Sequence, residues 1–376
     1  MLNKLKVATA AGVLSSLAIG TTFASDSAGA SSTTNWSTVQ SVSGTAGMAA
    51  LVAAAKVEGH LNVITLPLQG WANYGTIMKD FTAKYGIKIN DENPNGSSAN
   101  EITAIESDKG RPSAPDVVDM GTSYAVDNAK LLAPYKVQTW NDIPTATKSP
   151  TGRWFDDYGG YVSIGCDSAK VKVCPTSFAD LTKPMYKNEV GINGDPTQAA
   201  AAFAAVSAAS LANGGSFSNV EPGIKFFANL NKIGNYVPGG SAATAVSGTT
   251  PILIWWDYLQ NGIQANLPAW RVNIPTDASY AAYYTQAIAV DAPHPAAARL
   301  WEEYLYSTVG QNLFLQGYAR PIELAAMISA HTVNQSWLKQ LPAAPKGVTT
   351  YPTLAQLDAA KNVVAKNWAA EVGGAG

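Results

Sequence analysis

The sequence predicts an α/β chain of two lobes, each a mostly parallel sheet flanked by helices with a cleft between the lobes. Three observations carry this. The 376 residues exceed what one core ordinarily holds. Helix and strand patterns alternate along most of the length, which is the pattern of sheets covered by helices. No linker is long enough to separate freely moving domains, and no internal repeat is present. Apolar residues make up 47% and charged residues only 14%, with a net charge of −2 and no basic block. A charge-driven disordered chain and a nucleic-acid binder are therefore excluded, because neither the charge density nor a polyanion-attracting field is there.

The first residues predict export. Lys4 and Lys6 precede an uncharged, mostly apolar run from Val7 to Gly20, and Thr22 and Ala24 offer small side chains at −3 and −1 before Ser25. The run is shorter than the roughly 20 residues that cross a bilayer. A signal peptide over residues 1–24 and a soluble periplasmic chain are expected. No cysteine lies near the cleavage point, which disfavours a lipid anchor. Residues 25–45, rich in Ser and Thr, are expected to be a disordered lead-in.

Structure is expected from about residue 46. MAALVAAAKVEGH reads as a helix stopped by Gly59, followed by the strand LNVITLPL, a loop from Gln69 to Asn73, and a helix whose Ile77, Phe81 and Tyr85 recur every four residues. The strand IKIN, the loop NPNGSS, a helix from Ala99, the strand PDVVDM, the loop GTSY and a helix from Ala125 continue the alternation. A second series starts with the strand YGGYVSIGC. It runs through the strand EVGIN, the turn GDPTQ, a long alanine-rich helix ending at Asn213-Gly214-Gly215, a helix from Val220, the strand TPILIWW and a helix from Asp257. WRVNIPTD and YYTQAIAV then lead into a helix from Pro295. The two cysteines, Cys166 and Cys174, flank a turn at Asp167-Ser168-Ala169-Lys170. In an oxidising compartment a disulfide is expected, worth about 2.5 kcal/mol for so short a loop; two buried thiols are the alternative.

AAAKVEGHLNVIT, PDVVDMGTSYAVDNAKLLAPY, CPTSFADL, GDPTQAA and DAPHPAAARLWEEYLYSTVGQ, with Gly317 and Arg320-Pro321 beyond, occur in an order that resembles the periplasmic solute-binding proteins of ABC importers. The similarity is to the spermidine/putrescine-like and ferric-like branch with the type II two-lobed fold, over about residues 47 to 370. The resemblance implies a monomer that holds a small solute between its lobes, closes on it and is read by a membrane permease, with no cofactor and no catalysis. It places lobe one at residues 46–157 plus 286–325 and lobe two at 158–285 plus 326–376.

Catalytic signatures are absent from the sequence. His60, His294 and His331 have no metal-ligand spacing, and no HExxH, GxSxG or phosphate loop occurs. Ligands in such folds sit beyond the carboxyl ends of strands. That rule selects Trp71, Asn73 and Tyr74, then Ser97 and Ser98, then Thr122, Ser123 and Tyr124, then Asp195, Thr197 and Gln198, then Trp255, Trp256 and Asp257, with Tyr158, Tyr161, Tyr283 and Tyr284 near the crossings. Asp195 and Asp257 are the candidate partners of an ammonium group, and Trp71, Tyr74, Trp255 or Trp256 supply π faces. Trp255-Trp256-Asp257 looks like the aromatic-plus-acid arrangement of the polyamine-binding group. The chain has five arginines, none in these loops, so a purely anionic ligand lacks its bidentate partner. An amine-bearing, polyamine-like solute is the expected ligand.

Each choice has a competitor. Asp195 before Pro196 and Asp257 before a helix also suit capping, and strand alternation lets only one of Trp255 and Trp256 face the cleft. Ser97 and Ser98 suit a helix cap, or a helix end that receives a phosphonate or carboxylate, which keeps an aminophosphonate in contention. Tyr283 and Tyr284 resemble the tyrosine ligands of ferric-binding relatives, though on a strand only one of them faces a given site. A secreted hydrolase on the same fold is the reading from another class.

Overall fold

The computed structural model describes residues 34–68, 72–94, 96–343 and 352–373. The expected signal peptide, residues 25–33 of the lead-in and Trp71 lie outside them. The rest of the lead-in is not disordered. Trp36–Thr38 form a 3-10 turn, Ser41 bridges to Lys136, and Arg299 donates to the carbonyls of Val39 (2.7 Å) and Ser37 (3.0 Å). Arg299 is 1% exposed, so its guanidinium requires buried acceptors, and the segment supplies them.

The first series folds as α1 (Gly44–Glu58), β1 (His60–Ile64), α2 (Tyr74–Tyr85), β2 (Lys88–Glu92), α3 (Ser98–Ser107), β3 (Val117–Gly121), α4 (Thr122–Asp127) and the short β4 (Leu132–Ala133). On α2, Ile77 and Phe81 are buried as the spacing predicts, joined by Tyr74 and Met78, while Tyr85 is half-buried. The second series is β5 (Phe155–Asp167), β6 (Val190–Ile192), α5 (Ala200–Ala212), α6 (Glu221–Lys232), α7 (Ala242–Ser247), β7 (Ile252–Trp256), α8 (Asp257–Ile263) and β8 (Trp270–Asn273). There follow β9 (Ala281–Ala289), α9 (Pro295–Leu305), α10 (Thr308–Gln316), β10 (Arg320–Pro321), α11 (Leu324–Ser329), α12 (Gln335–Leu338) and α13 (Leu354–Glu371).

The sheets are mixed rather than mostly parallel. Among the described strands, β1 with β2 and β6 with β7 pair in parallel, while β3–β9, β5–β9 and β5–β7 are antiparallel. The reason is β5, thirteen residues long and buried at every one. Its first half pairs with β9, which continues to β3, and its second half pairs with β7, which continues to β6. One strand thus belongs to both halves of the molecule. Its register slips between Asp156 and Gly159, a bulge that turns the strand as it crosses. Gly159 and Gly160 permit that crossing: a Cβ on Gly160 would lie 2.2 Å from Asp257 Oδ1, and one on Gly159 2.3 Å from the Ala282 carbonyl.

Helix packing follows from side-chain size. The run Ala202–Ser210 of α5 is buried on all sides, which explains a helix almost without polar residues. α6 crosses it at Gly223, where a Cβ would meet the Val206 carbonyl at 2.1 Å. Glu58 at the end of α1 accepts from the Ala296 and Ala297 amides (3.0 and 2.8 Å), capping α9. His294 is turn-forming, as its APHP context suggests: its amide and Nδ1 both meet Asp116 (2.6 and 2.8 Å), and that contact raises its pKa. Cys166 and Cys174 are joined in the expected disulfide, with Cα atoms 5.8 Å apart across the Asp167 turn.

Candidate functional site

A cavity of about 480 Å³ opens where β3 runs into α4, bounded by Gly121–Tyr124, the turn at Pro196–Ala200 before α5, the end of β7 at Trp256, and Ala281–Tyr284 of β9. This is within the range of small-molecule sites. Its wall is aromatic, with Tyr124, Trp154, Phe203, Trp256, Tyr280, Tyr283 and Tyr284, interrupted by Thr122, Ser123, Thr147, Thr197, Gln198 and Asn362. Among the described lining residues one acid, Asp156, and one cation, Lys361, are present.

Asp156 sits on β5 just before the bulge and is 4% exposed. Its Oδ1 accepts two hydroxyls, Thr285 at 2.6 Å and Thr122 at 2.9 Å. Among the described residues no group donates to Oδ2, and the residue borders the cavity. Burial raises its pKa to about 7 against the two hydroxyl bonds. On the opposite wall Lys361 donates to Ser123 Oγ, and its ammonium lies 5.0 Å over the Tyr124 ring. Adjacent residues of one short helix, Thr122 and Ser123, therefore hold the acid and the cation.

Of the residues selected by sequence, Tyr124, Thr197, Trp256, Tyr283 and Tyr284 border this cavity. Trp256 is the member of the tryptophan pair that faces it; Trp255 is half-buried and packs elsewhere. Both tyrosines of β9 border it, contrary to the alternation argument, because the cavity follows the strand over four residues. The remaining placements differ. Tyr74 is fully buried in the core, its hydroxyl donating to Asp157 Oδ2 (3.0 Å) and accepting from Gln286 (2.6 Å). Ser97 is an exposed cap of α3, closed by Asn100, and Ser98 Oγ accepts from the Gly121 amide (3.1 Å) behind the cavity wall.

Neither predicted carboxylate reaches the cavity. Asp195 closes its own turn, accepting from the Thr197 amide (2.8 Å) and hydroxyl (2.7 Å), with α5 beginning only at Ala200. Asp257 is wholly buried and ion-paired with Arg320, while its Oδ1 accepts from the Tyr161 amide (2.9 Å). Arg320 also stacks 4.8 Å over the Tyr161 ring and donates to the Pro342 carbonyl (2.8 Å). A carboxylate so buried and ion-paired is out of a solute's reach.

Sequence reasoning missed Asp156, Lys361 and the helix that carries the lysine. The signals were available: Thr353 and Gln356 form a capping box, and Ala360, Val364, Trp368 and Val372 recur every four residues. Asp156 stands in the first half of a strand that otherwise reads as hydrophobic, where a carboxylate requires a reason.

A profile of bacterial extracellular solute-binding proteins matches residues 115–342, more than half of the chain. The chain belongs to that family. It is the solute-binding component of an ABC import system, and its family binds its solutes rather than transforming them. The receptor has the fold of two-lobed periplasmic binding proteins. Solved structures similar to it include the periplasmic binding protein P5PA, at 18% identity and a TM-score of 0.64, with 84% of this chain covering 99% of that one. AfuA from Actinobacillus pleuropneumoniae, solved with fructose-6-phosphate, is 19% identical with a TM-score of 0.65, 83% of this chain covering 98% of it. Iron-bound HitA from Pseudomonas aeruginosa is 19% identical with a TM-score of 0.57, 81% covering 97%. No protein of curated function matches the sequence.

Proposed function

We propose that this receptor captures a small amine-bearing solute in the Asp156 cavity, after export with a signal peptide cleaved near Ser25, and delivers it to its permease without chemical change. The lobes are those assigned from sequence, joined where β5 and β9 cross. One observation carries the ligand class: Asp156 is a buried carboxylate on the wall of an aromatic cavity, with both of its hydroxyl partners on one oxygen. An ammonium placed there gains a charge-assisted bond and ring faces worth about 0.5–2 kcal/mol each. It also draws the carboxyl back to its charged form. The reading keeps the expected amine and exchanges the acid that binds it, Asp156 in place of Asp195 and Asp257.

Closing the lobes buries the rings only when a ligand sits between them, so binding shifts the population toward the form a permease reads. Asp156→Asn tests this directly. The amide still accepts the two hydroxyls, so the melting temperature should hold, while affinity for an amine measured by calorimetry should fall more than about tenfold. An unchanged affinity overturns the assignment. Thermal-shift arms with sugar phosphates and ferric citrate test the readings that the structural neighbours invite: stabilisation by either, with none from amines, favours it over this one.

A further inference from the structure

α13 has two stripes. Ala360, Val364, Trp368 and Val372 are buried, with Trp368 edge-on to Phe227 of α6 (5.6 Å) and to Tyr236 (6.4 Å). The Asn231 side chain donates to the Val372 carbonyl (2.9 Å), and Gln356 donates to Ser218 (3.0 Å). Leu357, Lys361 and Ala365, again four apart, line the cavity. The helix packs against α6 on one side and α4 on the other, so it spans the cavity from the α5–α6 side to the β3–α4 side. The family match ends at residue 342, before α13 begins.

Lys361 is the one residue of this helix with unfinished chemistry. An ammonium has three donors, and here one of them meets the Ser123 hydroxyl. Among the described residues no carboxylate forms an ion pair with it. Burial in the cavity wall lowers its pKa, and Asp358 and Asp127 act on it only from a distance. A desolvated cation without a counter-ion, facing a cavity whose other wall presents a carboxylate, is half of a two-point site.

We propose that α13 is a third wall of the binding site, and that Lys361 receives an anionic group of the same solute whose amine meets Asp156. The solute is then a zwitterion, an amine and a carboxylate or phosphonate joined by a short spacer. This rests on the amine reading for one end only; the Lys361 end stands by itself. Thr122 and Ser123 fix the spacing, since they hold Asp156 and Lys361 through adjacent residues.

The test is calorimetry on the full mature chain with ω-amino carboxylates and ω-amino phosphonates of two to six carbons, each beside the alkylamine and the alkanoate or alkylphosphonate of equal length. At the best-fitting length the zwitterion should bind more than about tenfold more tightly than the amine alone. Lys361→Gln should erase that advantage, and Lys361→Arg, which keeps the charge, should retain most of it. An advantage that survives Lys361→Gln overturns the proposal, as does failure of every zwitterion to bind. If alkanoates or alkylphosphonates bind in a Lys361-dependent way and amines do not bind, the anion role stands and the amine reading falls.

Discussion

Asp156 and Asp257 are both buried aspartates at the crossing of β5, one residue type in one neighbourhood, and they do opposite things. Asp257 meets a guanidinium and backbone amides, so its charge is spent inside the protein. Asp156 meets two neutral hydroxyls on one oxygen and borders the cavity. Burial raises the pKa of both, but Arg320 works against the rise only at Asp257. Whether a buried acid is structural or functional is decided by what already satisfies it, and the largest predicted effect follows. Asp257→Asn leaves Arg320 uncompensated at 8% exposure and should destabilise the fold by about 3–5 kcal/mol, read as a lower denaturation midpoint, while ligand affinity of the folded fraction changes little. A midpoint that holds while amine affinity collapses would reverse the two roles.

The same contrast sets the pH behaviour. Asp156 titrates near 7 when folded and near 3.8 when unfolded, so between these values the native state holds a proton that the unfolded chain has lost. Its contribution to stability is therefore full at low pH and is lost as pH rises through about 7. Asp119, also raised to about 7, and Glu323, raised to about 8, move in the same direction, so the mutant difference is the readout. Asp156→Asn should gain melting temperature relative to the native protein between pH 5 and pH 8. Amine binding has the opposite sign: it requires the charged carboxylate, so affinity should weaken by up to about tenfold per unit of pH below 7, and the variant should show no such slope. Equal slopes in the two proteins would remove Asp156 from the ligand.

Much of this molecule is readable in its sequence. The alternation of elements, the Cys166 to Cys174 turn and the turn closed by Asp195 follow from spacing and turn chemistry, which act over a few residues. The direction of the strand pairs and the fate of Asp257 do not. Arg320, which neutralises Asp257, is 63 residues away in sequence, and no local pattern announces an ion pair between a helix start and a distant two-residue strand. Tyr74 reads as a cleft residue because it opens a helix after a strand, yet Asp157 and Gln286, both remote in sequence, draw its hydroxyl into the core. Lys361 became a cavity residue only because the stripe beside it docks on α6 and carries the lysine across the opening.

Trp255 and Trp256 repeat the comparison on a smaller scale, with neighbours again separated by what each one faces. β7 is the strand that β5 pairs with in its second half, and alternation along it sends Trp256 to the cavity beside Tyr280, ring centroids 6.4 Å apart, while Trp255 packs with Leu253 and Val272 on the other side. An indole face near an ammonium is worth about 0.5–2 kcal/mol, and a phenyl ring recovers part of it. Trp256→Phe should thus weaken an amine by roughly two- to tenfold, whereas Trp255→Phe should leave affinity unchanged at a comparable cost in stability. Titrating both variants by calorimetry separates the effects, since a loss of packing moves the melting temperature of each and only the loss of a cavity wall moves the dissociation constant. If the two substitutions weaken the amine equally, the ligand sits against the opposite face of β7, and the cavity bounded by Asp156 and Lys361 is not its seat.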